Sequence, residues 1–139
     1  MSTLAHDLHL LVRSLDRAAE SRLTPFGISY PRYLALVVID SHPGMTQRDL
    51  AGALGQTEAT ASRTCAGLAS DGWLEVARPP GGGNRRVLSL TDDGADLLAR
   101  ASEALGDAFD DVVRSIGRNP DRLAGDVRRL TAILDGDPS

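Results

Sequence analysis

The chain has 139 residues, 42% of them apolar and 24% charged, and a formal net charge of −4. That length suits one domain with a real core, and the balance argues against global disorder. No run approaches the roughly 18 apolar residues needed to span a bilayer. Met1-Ser2-Thr3-Leu4-Ala5-His6-Asp7 lacks the basic region and apolar core of a signal peptide, so a cytoplasmic protein is expected.

The lone Cys65 excludes an intrachain disulfide and a multi-cysteine zinc site. His6, His9 and His42 lack ligand spacing, and neither a metal nor a cofactor is expected. No glycine-rich phosphate loop follows a strand. No nucleophile-His-acid set is suggested, and no paired carboxylates sit in an apolar context, so no enzyme is expected. The acid is unevenly spread. Residues 1–45 carry four arginines against four acids, net 0; residues 46–91 carry five against four, net +1; residues 92–139 carry six against eleven, net −5. A middle segment that is the least negative part permits, without demanding, a face for nucleic acid.

Leu4, Leu8, Leu11, Leu15 and Ala18 recur at steps of four and three and predict a first helix. Ser29 is a good N-cap for a second helix, with Pro31 in its first turn and His42-Pro43-Gly44 ending it. Tyr33, Leu34, Leu36, Val37, Val38 and Ile39 surround it with apolar side chains, so it should be the most buried element. Thr46-Gln47-Arg48-Asp49 reads as a capping box with Asp in place of Glu, opening a short helix through Leu50, Ala51 and Leu54 that stops at Gly55. A further helix runs from Thr57 to Ser70, with Ala61, Cys65 and Leu68 inward, and ends at Asp71-Gly72.

Two short apolar runs, Trp73 to Val76 and Val87 to Leu90, then flank a loop of prolines, glycines and the pair Arg85-Arg86, which predicts a β-hairpin. Thr91 caps a long helix whose apolar set is Ala95, Leu98, Ala101, Leu105, Ala108, Val112 and Ile116. Gly117 to Pro120 breaks it, and a last helix carries Leu123, Val127, Leu130 and Leu134.

Residues 46–68 read as a helix-turn-helix whose second helix has small polar residues outside, as a helix entering a major groove requires. Thr57, Thr60, Ser62 and Arg63 lie towards its N-terminal half. Hydroxyls there can bond base edges or phosphates, and Arg63 can take a guanine edge in bidentate fashion, about 1–3 kcal/mol of discrimination. Glu58 is either a first-turn acid favoured by the helix dipole or an acceptor from cytosine. A hairpin directly after such a helix is a wing, and Arg85 and Arg86 supply the charge that a narrow minor groove attracts. A solvated hairpin with surface arginines is the competing reading.

The stretches "ISYPRYLALVVI" and "MTQRDLAGALGQTEATASRTCAGLASDGWLEVARPPGGGNRRVLSLTDDG" together resemble the MarR (multiple antibiotic resistance regulator) family of winged-helix transcription factors. The likeness is carried by Leu50-Ala51-x-x-Leu54, Ser62-Arg63, Leu68, Asp71-Gly72, the Arg-Arg wing and Leu90-Thr91-x-x-Gly94. It implies a mainly α fold with a β-hairpin wing: one MarR-like domain over residues 1–139, a winged helix-turn-helix over 30–91, and dimerisation helices at 1–22 and 92–135. It implies a homodimer on a pseudo-palindromic double-stranded DNA operator, with Arg48 and Thr57 at phosphate or the groove edge, Thr60, Ser62 and Arg63 at bases, and Arg85 and Arg86 in the minor groove. A repressor released by a small aromatic or anionic effector is expected, with a winged-helix protein-interaction module as the alternative.

Ile28 to Tyr33 looks most like the organic-hydroperoxide-sensing branch, but the first helix has no cysteine, so that chemistry does not carry over. Tyr30 and Tyr33 line an effector cavity or are core aromatics; Arg13 is a candidate to offset an anionic effector, or a solvated charge. One departure from the family is Asn84, where the wing usually has an acid; with Gly81-Gly82-Gly83 before it, a wing mobile without DNA is expected.

Overall fold

The computed structural model describes residues 2–136. The order is α1 (Leu4–Leu23), a 3-10 turn (Thr24–Phe26), α2 (Tyr30–Ser41), α3 (Gln47–Leu54), α4 (Glu58–Ser70), β1 (Leu74–Ala77), β2 (Val87–Leu90), α5 (Asp92–Leu105), α6 (Ala108–Ser115) and α7 (Pro120–Leu134). The chain divides into two compact units, one ending at Leu105 and one starting at Gly106. The fold is mainly α with one antiparallel hairpin, as the sequence predicts.

The first unit is organised around α2, which packs against α1, α3, α4, α5 and β2. Ala35, Leu36 and Ile39 are buried on it, in one core with Leu23, Leu50, Cys65, Leu68, Leu74, Leu88 and Leu97. The predicted caps are in place. Ser29 Oγ accepts from the Arg32 backbone N–H, and Thr46 and Asp49 satisfy each other's backbone N–H groups in a full capping box. This satisfies donors that a helix start otherwise leaves orphaned.

The hairpin pairs Leu74 with Leu90 and Ala77 with Val87. It does not stand alone: Leu88 N–H donates to Met45 C=O at 2.8 Å and Gln47 N–H to Arg86 C=O at 3.1 Å, with Thr46 bridged to Val87. The residues just before α3 thus act as a third strand at the root of the wing.

At the other end of the hairpin, Thr91 Oγ1 donates to Gly72 C=O at 2.6 Å and accepts from Gly94 N–H at 3.0 Å. Gly94 lies so close to the Trp73 carbonyl that a Cβ would collide with it. The inward face of α5 is accordingly Gly94, Leu97, Leu98 and Ala101, with Ala95 exposed.

The single long helix expected from Thr91 to Ile116 is instead two. Gly106 adopts φ +53°, the left-handed region that favours glycine, and α6 restarts after it. In α6 the buried residue is Val113, while Val112 and Ile116 are exposed. The second unit consists of α6 and α7, and Leu123, Val127, Leu130 and Leu134 form an exposed stripe along α7.

Candidate nucleic-acid interface

The outward face of α4 is built from Glu58, Ala59, Ser62, Arg63 and Ala66, all exposed, while Ala61, Cys65 and Leu68 are buried beneath it. The sequence reading found Ser62 and Arg63 and passed over Ala59 and Ala66. Their spacing from Ser62 and Arg63, three residues to either side, puts them on the same face. A face of alanine, serine and one arginine lets the helix backbone come close to a groove floor.

Three candidate residues form one hydrogen-bonded chain. Thr57 Oγ1 accepts from the Thr60 backbone N–H at 3.1 Å and so caps α4; its own hydroxyl donates to Thr60 Oγ1 at 3.0 Å. Arg63 Nη2 also donates to Thr60 Oγ1, at 3.2 Å. The Thr57 hydroxyl is therefore engaged in holding the helix start, and the Thr60 hydroxyl keeps its proton to donate. The guanidinium of Arg63 is steered along the N-terminal half of the helix.

The wing and the start of α3 enclose an open cleft of about 750 Å³ whose lining includes Gln47, Arg48, Asp49, Glu58, Asn84, Arg85 and Arg86. Arg48 pairs with Glu58 at 3.6 Å with both side chains largely in solvent. Such a pair is worth little and exchanges readily for a phosphate. Asp49 is held below its usual carboxyl pKa, first by the Thr46 backbone N–H, then by the Thr46 hydroxyl, with Arg48 and Arg85 adding to the effect.

Arg85 and Arg86 are exposed but not at the extreme tip. The turn of the wing is formed by Pro79 to Gly82 and Gly82 to Arg85, and the two arginines begin the returning arm beside Gln47. Asn84 makes no side-chain hydrogen bond among the described residues.

The structure brings together Arg48, Arg85 and Arg86 around the cleft, and Thr57, Thr60, Ser62 and Arg63 on one helix, with Glu58 belonging to both groups. It also shows a clamp that the sequence reading missed. Arg32 Nη1 donates to Asp71 Oδ2 at 2.9 Å, and its guanidinium crosses Gly67, where any Cβ would collide with it. The start of α2 thereby grips the far end of α4. A partnership across so many intervening residues leaves no local signature in the sequence.

The proposed effector residues are not gathered at one place. Tyr30 and Tyr33 stack, with ring centroids 6.2 Å apart, yet they line separate cavities. Tyr33 faces Ser102, its hydroxyl 2.9 Å from Ser102 Oγ, and Arg13 is exposed on α1 and lines neither cavity. Cys65 is fully buried, and burial pushes its thiol up to about 11, so at neutral pH it is a protonated core side chain. Among the described residues no helix is long and apolar enough to cross a membrane.

Residues 26–84 match the family model described as the MarR family. No match was found among curated proteins. Among solved structures, the chain is similar to a mutant of MarR from E. coli complexed with operator DNA, at 21% identity and TM-score 0.81, covering 94% of this chain and 93% of that one. It is similar to MepR of S. aureus in a DNA complex, at 20% identity and TM-score 0.81, covering 96% of each chain. It is also similar to the PcaV transcriptional regulator of Streptomyces coelicolor in complex with its natural ligand, at 22% identity and TM-score 0.72, covering 97% of this chain and 96% of that one. The match to the family model takes in α2 with the clamp residue Arg32, the capped helix pair and β1, and stops before β2, while along nearly the whole chain the fold is similar to that of the MarR and MepR structures.

Proposed function

We propose that the protein is a homodimeric, sequence-specific DNA-binding transcriptional regulator, a repressor released by a small molecule, and that it catalyses no reaction. The observation that carries this reading is the junction of a small-residue helix face bearing Arg63 with a cleft bearing Arg48, Arg85 and Arg86. In this reading Ser62, Arg63 and the Thr60 hydroxyl meet base edges, Arg48 meets phosphate, Thr57 holds the helix start at the groove edge, and the wing arginines enter the adjacent minor groove.

Support for the dimer comes from apolar side chains left in solvent on α1 (Leu4, Leu8, Leu11) and α7 (Val127, Leu130, Leu134). Such exposed apolar rows, one on each unit, are the mark of surfaces that meet a partner. Two copies would set their α4 helices on half-sites about 34–36 Å apart. That MepR and MarR are solved with DNA and PcaV with its natural ligand supports both DNA and an effector as partners of this chain.

The test is footprinting on the DNA flanking the protein's own gene, followed by titration at several salt concentrations. Arg63→Ala should lower discrimination at one base position by about 1–3 kcal/mol, while Arg86→Ala should weaken all sequences alike and reduce the salt slope by about 1. Binding to a protein partner that ignores competing DNA, with no protected site, would replace this reading with the interaction-module alternative.

A further inference from the structure

The surface proposed to meet DNA carries Arg48, Arg63, Arg85 and Arg86, and in its midst two carboxylates, Asp49 and Glu58. Asp49 has a structural duty: its Oδ2 accepts the Thr46 backbone N–H at 3.1 Å in the capping box. Glu58 has none. It is the first residue of α4, but that helix start is capped by Thr57, whose Oγ1 accepts the Thr60 backbone N–H. The Glu58 side chain is instead 71% exposed, and among the described residues its carboxylate meets only Arg48 Nε, at 3.6 Å. Beside it on the outward face stand Ala59 and, one turn on, Ser62, both small and exposed.

A carboxylate on a surface that meets a polyanion weakens binding unless the duplex offers it a donor. When Arg48 turns to a phosphate, Glu58 loses its counter-charge just as it nears the groove. In the major groove the donors are the amino groups of cytosine and adenine. Adenine sets its N7 acceptor beside that amino group, while guanine and thymine present acceptors. An ionised carboxylate only accepts, so cytosine suits it and the other bases meet it with unpaired or repelling oxygens and nitrogens.

We propose that Glu58 is a specificity-determining residue, whose carboxylate accepts from N4 of a cytosine in each half-site and by the same charge lowers the affinity for duplexes that lack that base. This deepens the DNA-binding reading above and rests on it. The role is opposite in kind to that of the arginines. Losing an arginine weakens binding, whereas losing the Glu58 charge strengthens binding to unrelated DNA while erasing one choice of base.

The test lets the full-length protein select from duplexes with a randomised core, and the bound fraction is sequenced for the parent, Glu58→Gln and Glu58→Ala. The parent's consensus should hold a cytosine in each half-site that Glu58→Ala no longer selects. Glu58→Gln should shift that position towards adenine, because an amide bonds adenine N6 and N7 together, and the other positions should stay as in the parent. In titrations the parent should prefer its own site over one with that base pair replaced by about fivefold or more, and Glu58→Ala should bind the two about equally. On a duplex of scrambled sequence both variants should bind about twofold or more tighter than the parent at low salt, a gain that shrinks as salt is raised. A first-turn acid that served only the helix dipole would, when lost, weaken binding to every duplex alike. A parent consensus that both variants reproduce, or scrambled DNA bound more weakly by Glu58→Gln, overturns the inference and leaves the DNA-binding reading standing. A parent that enriches no sequence overturns that reading, and the inference with it.

Discussion

At the scale of single residues, two glycines separate what a missing side chain can mean. Gly94 sits against the Trp73 carbonyl with no room for a Cβ, whereas Gly52, in mid-helix on the surface of α3, has open space where a Cβ would go. Gly94→Ala must push the hairpin base away from α5 and should destabilise the fold by about 1–3 kcal/mol. Gly52→Ala meets nothing and should stabilise it by about 0.4–1 kcal/mol, by narrowing the unfolded ensemble. Thermal unfolding of the two variants beside the parent decides it, and equal effects would refute the packing described at Gly94. The family resemblance marks Gly94 in the sequence, but only the structure gives the reason, because the carbonyl it accommodates belongs to a residue across the hairpin. The DNA-facing residues divide the same way. Arg63 and Ser62 were legible as exposed polar groups on a patterned helix. The commitment of the Thr57 hydroxyl to capping, and the Arg32–Asp71 clamp, depend on geometry that no local pattern carries.

At the scale of elements, caps carry the sequence's information about where helices start. Ser29, Thr46 and Thr57 all accept the backbone N–H three residues on, and Thr91 does the same for Gly94. Thr46→Ala should cost about 1 kcal/mol of stability. Asp49, the other half of that box, has a native carboxyl pKa below the usual 3.8, so its contribution is full above that value and is lost as pH falls through the depressed one. The stability gap between the parent and Asp49→Asn should therefore narrow in acid and stay constant from mildly acidic to neutral pH. Chemical denaturation at stepped pH measures it, and a gap that widens in acid would reverse the sign argued here. Where helices end was less legible. The apolar spacing of Ala101, Leu105, Ala108 and Val112 continues smoothly across Gly106, yet one positive φ stops the helix there. Periodicity records which side faces inward on an unbroken rod; it is blind to a single left-handed residue.

At the scale of the whole molecule, the expected symmetry hangs on exposed apolar surface. Ile133 is 74% and Leu134 86% exposed, on a helix whose other apolar residues are also in solvent. Introducing charge with Leu130→Asp and Ile133→Asp should remove about 3 kcal/mol of burial from a dimer, more than about a hundredfold in its Kd. Sedimentation velocity should show dimeric parent and monomeric variant, and both should keep the same helical content. A parent that is monomeric at every concentration would remove the two-copy geometry.

The join between the wing and the segment before α3 has a different kind of outcome. It is made by main-chain groups alone, Leu88 to Met45 and Gln47 to Arg86. Amide-to-carbonyl stitching is indifferent to which side chains flank it, so the exposed Arg86 can be exchanged over generations without unfastening the finger from the reading helices, while Met45 and Leu88 stay tied to the core. Contact chemistry at that corner can change while the chassis that aims it stays the same.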